Sequence, residues 1–279
     1  MDVSTWEALD LRAAGLAEAR LALHHAIQPV AAVGQALLPK AADDSQQSLV
    51  VDTAGRWLGA VVAGGALRAG LDPRTLTLLL CDGAGAPLAR LPLQGKTLAD
   101  GLAFLRAELE RRGPAAHLVL PSHPDDFPSH PLGAGAPFQA GDAAARATLA
   151  SLFADTRGLL AGLESPPRLW PHHFDLAVTV KAPCATIALG VSPGEGAAGQ
   201  PYWYGTISPP LDPGTLPRLE GGGRWRTEGW TGAELPLERL EPGAARQRGQ
   251  VTAFFHSALI AVGAIGAVGP DATASARGP

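Results

Sequence analysis

The sequence of 279 residues has few cysteines and little net charge, and each shortage excludes a class of protein. Its two cysteines, Cys81 and Cys184, lie far apart in apolar segments, which is typical of buried side chains and not of a disulfide framework. The formal net charge of -4 excludes the basic surface that nucleic-acid binding requires, so we expect no nucleic-acid partner. With 46% hydrophobic residues, the chain is too apolar to be disordered.

Long hydrophobic segments are also missing. The longest apolar run, residues 258–269, has 12 residues, whereas roughly 18–20 are needed to cross a bilayer. The first residues lack the apolar core of a secretory signal. We therefore expect a cytoplasmic protein with no membrane partner.

Hydrophobic periodicity predicts an α+β fold in which antiparallel sheets are flanked by helices. The elements repeat as two similar halves, residues 1–121 and 142–279, each with the order helix, four strands, helix. A linker rich in proline, glycine and histidine, residues 122–141, joins them. The alternative is a single large sheet that both halves share.

Local patterns assign the individual elements. A helix or helix pair is predicted over residues 6–38, interrupted at Pro29, and Thr97 and Asp142 are predicted to cap two further helices. A last helix is predicted over 243–268. The predicted strands are 48–52, 56–64, 76–82, 87–93, 117–121, 173–181, 184–191, 201–208 and 224–235.

Two motif matches in the second half fail on physical grounds. Gly190-Val-Ser192-Pro-Gly194 matches the nucleophile elbow of serine hydrolases, but Pro193 has no N–H to serve as oxyanion donor. The segment 194–199 matches a dinucleotide-binding glycine motif, but an aromatic strand follows it instead of the required helix. We predict that Ser192 is not a nucleophile.

The stretch 169–235 holds four of the six tryptophans and both tyrosines, which suits either a pocket wall or a core. Strand alternation over 173–181 would place His173 and Asp175 side by side on one face, with His172 at the edge of the apolar face. The carboxylate could then orient the imidazole, or both could bind one ion. The alternative is that Asp175 only makes a structural hydrogen bond.

Two other clusters of charged residues could bind a ligand or a metal, or could simply be exposed to solvent. Arg224, Arg226 and Glu228 alternate on one strand face, where they could clamp an anion or form a surface charge ladder. Histidines and carboxylates of the linker, His130 among them, could coordinate a metal, but their spacing matches no standard zinc pattern. A solvated loop is the alternative there.

Four motifs in series, WPHHFDLAV (170–178), GVSPGEG (190–196), PYWYGTISP (201–209) and RWRTEGWTGAELP (224–236), carry a family resemblance. The chain resembles a family of bacterial hypothetical proteins with WPHHFD, SPGD, PYWY and GW-GA-L in this order, and is similar to the family called domain of unknown function 5996. Glu195 stands where the family has Asp, and arginines 224 and 226 stand where it has His, which removes any metal ligands there. The resemblance implies no activity. It marks as motif positions His130, His172, His173, Asp175, Ser192, Glu195, Tyr202, Tyr204, Trp225 and Trp230.

Together these observations predict a pocket in the second half that binds a small polar or anionic ligand. The motif positions and the two arginines, Arg224 and Arg226, would form it. The first alternative is a hydrolytic enzyme in which His173 acts as general base, Asp175 orients it and Glu195 helps to hold a divalent ion. A metal held by His130, His173 and Asp175 is a lesser alternative, and no other cofactor is expected. The second alternative is a protein-interaction module with the aromatic residues as contact patch; the sequence does not set an oligomeric state.

Overall fold

The computed structural model describes residues 6–9, 14–52, 54–62, 65–113, 117–183, 185–195, 199–228 and 231–263. These residues form an α+β fold with one antiparallel sheet of eleven strands. The helices are α1 (Leu16–Ala26), α2 (Gln28–Leu37), α3 (Leu98–Glu110), α4 (Ala143–Leu160) and α5 (Ala244–Ala261). The strands are β1 (Leu49–Val51), β2 (Trp57–Val62), β3 (Leu67–Asp72), β4 (Thr77–Asp82), β5 (Pro87–Pro92), β6 (Arg168–Trp170), β7 (Asp175–Lys181), β8 (Thr186–Ser192), β9 (Tyr202–Ser208), β10 (Arg224–Arg226) and β11 (Gly232–Pro236).

The sheet runs in the order β10-β11-β9-β8-β7-β6-β1-β2-β3-β4-β5. The predicted α+β class is confirmed. The predicted pair of similar halves is not, because five strands precede α3, six follow α4, and the antiparallel pairing of β1 with β6 joins them in one sheet. The division into residues 1–121, 122–141 and 142–279 stays a prediction.

The helix starts follow the predicted local chemistry. The Thr97 side chain accepts a hydrogen bond from the Asp100 N–H, and the Asp100 carboxylate accepts one from the Thr97 N–H, which completes a capping box. Asp142 accepts from two backbone N–H groups at the start of α4. Pro29 lies in the first turn of α2, where its missing N–H costs nothing, so the predicted helix pair is confirmed.

Several predicted strands were wrong in extent. Residues 117–121 form no strand; Leu118 and Leu120 pack against the core from an unpaired segment, which produces the same alternation. The predicted strand 224–235 is a hairpin, β10 and β11. Two strands were missed because β6 has only three residues and β3 does not alternate.

The half of the sheet that contains β7, β8, β9 and β11 has two different faces. One face is apolar and buried against α4 and α5, and the Trp203 indole N–H on this side donates to the Thr156 hydroxyl of α4 at 2.9 Å. The strand register places Asp175, Ser192, Tyr204 and Glu234 on the opposite, polar face. Across the described ranges, no helix is both long and apolar enough to cross a membrane.

Candidate functional site

A cavity of about 760 Å³ opens on the polar face of this half-sheet. Residues of α1, of the segment before residue 130, of the turn before β7 and of β7, β8 and β9 line it. The lining includes seven of the predicted ligand-binding residues: His172, His173, Asp175, Ser192, Glu195, Tyr202 and Tyr204.

The strand register explains why residues distant in sequence converge here. Strand β7 pairs with β8 through the turn at Pro183, and Leu176 lies opposite Val191, so the start of β7 lies beside the end of β8. The predicted pairing of these two strands is confirmed. Strand β9 then pairs with β8 so that Tyr202 lies opposite Ser192, which brings both tyrosines to the same edge of the pocket.

Tyr204 spans a whole strand to reach Asp175. Its hydroxyl donates a hydrogen bond to the Asp175 carboxylate, although β8 lies between their two strands. The phenol passes over Gly190, where a Cβ would lie 2.8 Å from the Tyr204 hydroxyl oxygen and 2.3 Å from the Leu176 carbonyl oxygen. The absence of a side chain at residue 190 therefore permits the contact.

A second tyrosine and carboxylate pair lies beside the first. The Tyr202 hydroxyl donates to the Glu195 carboxylate, and Ser192 lies opposite Tyr202 on the neighbouring strand. The Ser192 oxygen also accepts the Gly194 N–H at 3.2 Å. No helix follows Ser192 in the described residues before β9, so the geometry of a nucleophile elbow is missing.

His173 does not lie on a strand, and this corrects the predicted alternation. Residues 171–174 form a turn, because Phe174 has a left-handed φ of 56° and its N–H donates to the Trp170 carbonyl at 2.8 Å. The turn carries the His173 Nδ1 to 4.0 Å from the Asp126 Oδ2, whereas Asp175 accepts from Tyr204. The predicted side-by-side placement on β7 was wrong because alternation needs extended backbone at Phe174. Both residues nevertheless line the same pocket.

The pocket perturbs its titratable groups mainly through burial. Burial raises the pKa of Asp175, and the hydrogen bond from Tyr204 and the charge of His173 oppose the shift. Burial also raises the pKa of Tyr202 and Tyr204, and the carboxylate that each contacts adds to the effect. Neither phenol ionises near neutral pH.

Helix α1 supplies the wall opposite the sheet. The His24 ring stacks on Phe174 with centroids 5.0 Å apart, and its Nε2 lies 2.9 Å from the Pro171 carbonyl oxygen. Burial lowers the pKa of His24 to about 3, so the ring is neutral. One turn earlier, Arg20 is buried, donates to the Gly199 carbonyl at 3.1 Å and is attracted by the charge of Glu195.

Two of the remaining predicted residues, His130 and Trp225, are described by the structure and do not line the pocket. His130 lies beside α1, with its Nε2 3.2 Å from the Glu18 Oε1. The Trp225 indole N–H donates to the Pro217 carbonyl at 2.6 Å. Trp230 lies outside the described residues.

The two arginines lie on the polar face but at its far edge. Arg224 forms an ion pair with Glu234, with Nε and Oε1 2.5 Å apart, and Arg226 donates to the Glu228 carbonyl at 3.1 Å. Strand β10 ends at Arg226, so Glu228 does not continue the predicted charge ladder. Neither arginine is among the described residues that line the cavity.

The possible metal set is not found together at the cavity. His130 is not among the described residues that line it with His173 and Asp175, and no group of three or more His, Cys, Asp or Glu in the described ranges is arranged to hold a metal ion. Sequence reasoning missed four polar lining residues. Spacing in the sequence could have found three of them. Arg20 and His24 are four residues apart and therefore share one helix face, and alternation in β9 places Thr206 on the same strand face as Tyr202 and Tyr204. The four are Arg20, His24, Asp126 and Thr206.

The comparisons with known proteins add nothing to this geometry. Comparison with protein-family models, with curated proteins and with solved structures found no match to this chain. The predicted resemblance to the bacterial family with the WPHHFD and PYWY motifs therefore stays a prediction.

Proposed function

We propose that this protein binds a small polar molecule in the pocket on the polar face of the sheet. The supporting observation is that the half-buried Asp175 carboxylate, hydrogen-bonded by Tyr204, faces a cavity of about 760 Å³. Taking a carboxylate out of water opposes folding, and a cavity of this size is typical of small-molecule sites. A binding role accounts for both features.

Steric strain beside the pocket supports the same reading. Phe174 holds a left-handed φ of 56° immediately before Asp175, a conformation that costs a bulky residue about 1–3 kcal/mol. Its buried ring contacts Trp57 and Phe153, which hold this conformation in place. The packing thus maintains an unfavourable backbone conformation that orients Asp175 and the two preceding histidines.

The test is a thermal-shift screen of small polar molecules against the full chain. A molecule that binds the folded state raises the melting temperature, and the increase grows with its concentration relative to its dissociation constant. We expect a hit whose stabilisation is lost in Asp175→Asn, which keeps an oxygen for Tyr204 but removes the charge. Glu110→Gln, on the exposed side of α3, is the matched control and should keep the hit. Asp175→Asn retaining every hit would refute the proposal.

A hydrolytic enzyme at the same pocket is the second candidate. One observation favours it, since the raised pKa of Asp175 would let this carboxyl carry a proton to a leaving group. In this version Asp175 itself, and not His173, is the acid–base group. Mass spectrometry of a bound hit after incubation separates the two candidates, because only an enzyme converts it to product.

The interaction-module alternative has less support. Trp203 is fully buried and its indole N–H is bound within the core, so it contributes nothing to a contact patch. An exposed aromatic surface is what that alternative requires.

A further inference from the structure

The two tyrosines on the sheet side of the pocket have used their hydrogen-bond donors. A tyrosine has one hydroxyl proton, and Tyr202 and Tyr204 both donate it to a carboxylate. An ionised carboxylate only accepts, and each of the two has further lone pairs after one phenol has bound. This side of the pocket therefore offers acceptors to a ligand.

The charges around the pocket point the same way. The lining has three carboxylates, those of Asp126, Asp175 and Glu195, against one guanidinium, that of Arg20, among the described residues. Arg20 lies close enough to Glu195 for the two charges to attract each other. In the described part of the chain, Asp175 interacts with the neutral phenol of Tyr204 and with the neighbouring His173, and not with a lysine or arginine.

Aromatic rings complete the environment. The Tyr202 and Tyr204 rings lie side by side, with centroids 6.2 Å apart, and both line the cavity. The face of a tyrosine ring attracts a cation within about 6 Å of its centroid. Carboxylates next to aromatic faces attract a protonated nitrogen and repel an anion.

We propose that the ligand of this pocket carries a protonated amine, an inference that rests on the proposed function. The amine binds between the Asp175 and Glu195 carboxylates and the rings of Tyr202 and Tyr204. The ammonium group donates to the carboxylate oxygens that the tyrosines leave available. An anion would instead meet two carboxylates and two phenols with no proton to donate. The arginines at positions 224 and 226, which favoured an anion in the sequence, lie outside the cavity lining.

The experiment compares three matched probes that share one ring and differ in charge: benzylamine, benzyl alcohol and benzoate. Binding to the full chain at pH 7.5 is followed by saturation-transfer NMR and by thermal shift. Pools of larger amines, alcohols and carboxylates, matched in the same way, extend the comparison to ligands that fill the cavity. We expect the amines to bind in preference to their neutral and anionic partners.

Variants locate the site. Loss of a hydrogen bond to a charged group costs about 10- to 100-fold in affinity, so Asp175→Asn should weaken amine binding by that factor. Glu195→Gln provides a second variant at an exposed side chain, whose folding is not at risk, and should weaken it as well. Glu110→Gln should leave it unchanged.

The outcomes separate this inference from the proposed function. Preferential binding of carboxylates or of alcohols, lost in Asp175→Asn, overturns the amine and leaves a polar ligand site in place. Amine binding that neither variant weakens overturns both, because it places the amine outside this pocket. Failure of all three charge classes to bind the wild-type chain overturns both.

Discussion

The Tyr204 hydroxyl donates a hydrogen bond to the Asp175 carboxylate across strand β8, over the backbone of Gly190. The contact ties β9 to β7 on the polar face of the sheet without passing through the core. It also determines which oxygen of Asp175 remains for a ligand.

Removing the Tyr204 hydroxyl should destabilise the protein. Tyr204→Phe takes the hydrogen bond from a half-buried carboxylate, and loss of a partner to such a group costs about 1–3 kcal/mol. Urea unfolding measures the change. Tyr202→Phe is the control and should cost less, because its partner Glu195 is exposed to water. Equal losses in the two variants would contradict this account.

A methyl group at residue 190 should displace Tyr204. In Gly190→Ala the new Cβ meets the Leu176 carbonyl at 2.3 Å and the Tyr204 hydroxyl at 2.8 Å, and overpacking of this kind costs about 1–3 kcal/mol. Chemical denaturation tests it. Gly249→Ala is the matched control, since nothing lies within 4 Å of that Cβ and alanine favours the α5 helix by about 1 kcal/mol.

Acid should destabilise the protein through His24 and His25. Burial lowers their pKa values to about 3 and about 4, below the ordinary value of 6.5. The unfolded chain binds these protons first, so the free energy of unfolding falls as the pH decreases from about 6.5 towards these values. His24→Asn should make the free energy of unfolding less dependent on pH. The slope should fall by at most the amount that corresponds to the uptake of about one proton on unfolding. Unchanged slopes between pH 4 and 7 would contradict the prediction.

Asp155 should act with the opposite sign. Burial raises its pKa to about 7, so the folded state holds a proton that the unfolded state loses above about 3.8. The stability that this proton contributes is present below pH 3.8 and is lost as the pH rises through about 7. The stability of Asp155→Asn relative to wild type should therefore be higher at pH 8 than at pH 5. Thermal unfolding of both proteins in a pH 5 buffer and in a pH 8 buffer measures this difference. A constant difference would show that the carboxyl does not change its protonation.

Ser192 should be unreactive. Its oxygen accepts the Gly194 N–H at 3.2 Å, and Pro193 supplies no oxyanion donor. A fluorophosphonate probe should leave the folded protein unlabelled, as judged by intact mass. Labelling that disappears in Ser192→Ala would overturn this.

Sequence patterns located most of the candidate site because the pocket lies on consecutive strands. Tyr202 and Tyr204 share a face by simple alternation, and a short turn at Pro183 brings Ser192 and Glu195 beside Asp175. His173 was misplaced because one left-handed residue, Phe174, breaks the alternation. A positive φ at a phenylalanine carries no sequence signal, since it is imposed by the packing of the ring.

The sequence by itself determined the helix caps at Thr97 and Asp142 and the apolar alternation of β7, because each depends on residues only a few positions apart. Only the tertiary structure decided that all strands form one sheet and that α1 covers the pocket with Arg20 and His24. These arrangements join segments far apart in the sequence: Leu49 pairs with Leu169 in the sheet, and the His24 ring lies 2.9 Å from the Pro171 carbonyl. Local periodicity determines which face of an element is apolar. Which element packs against that face depends on the packing of the whole chain.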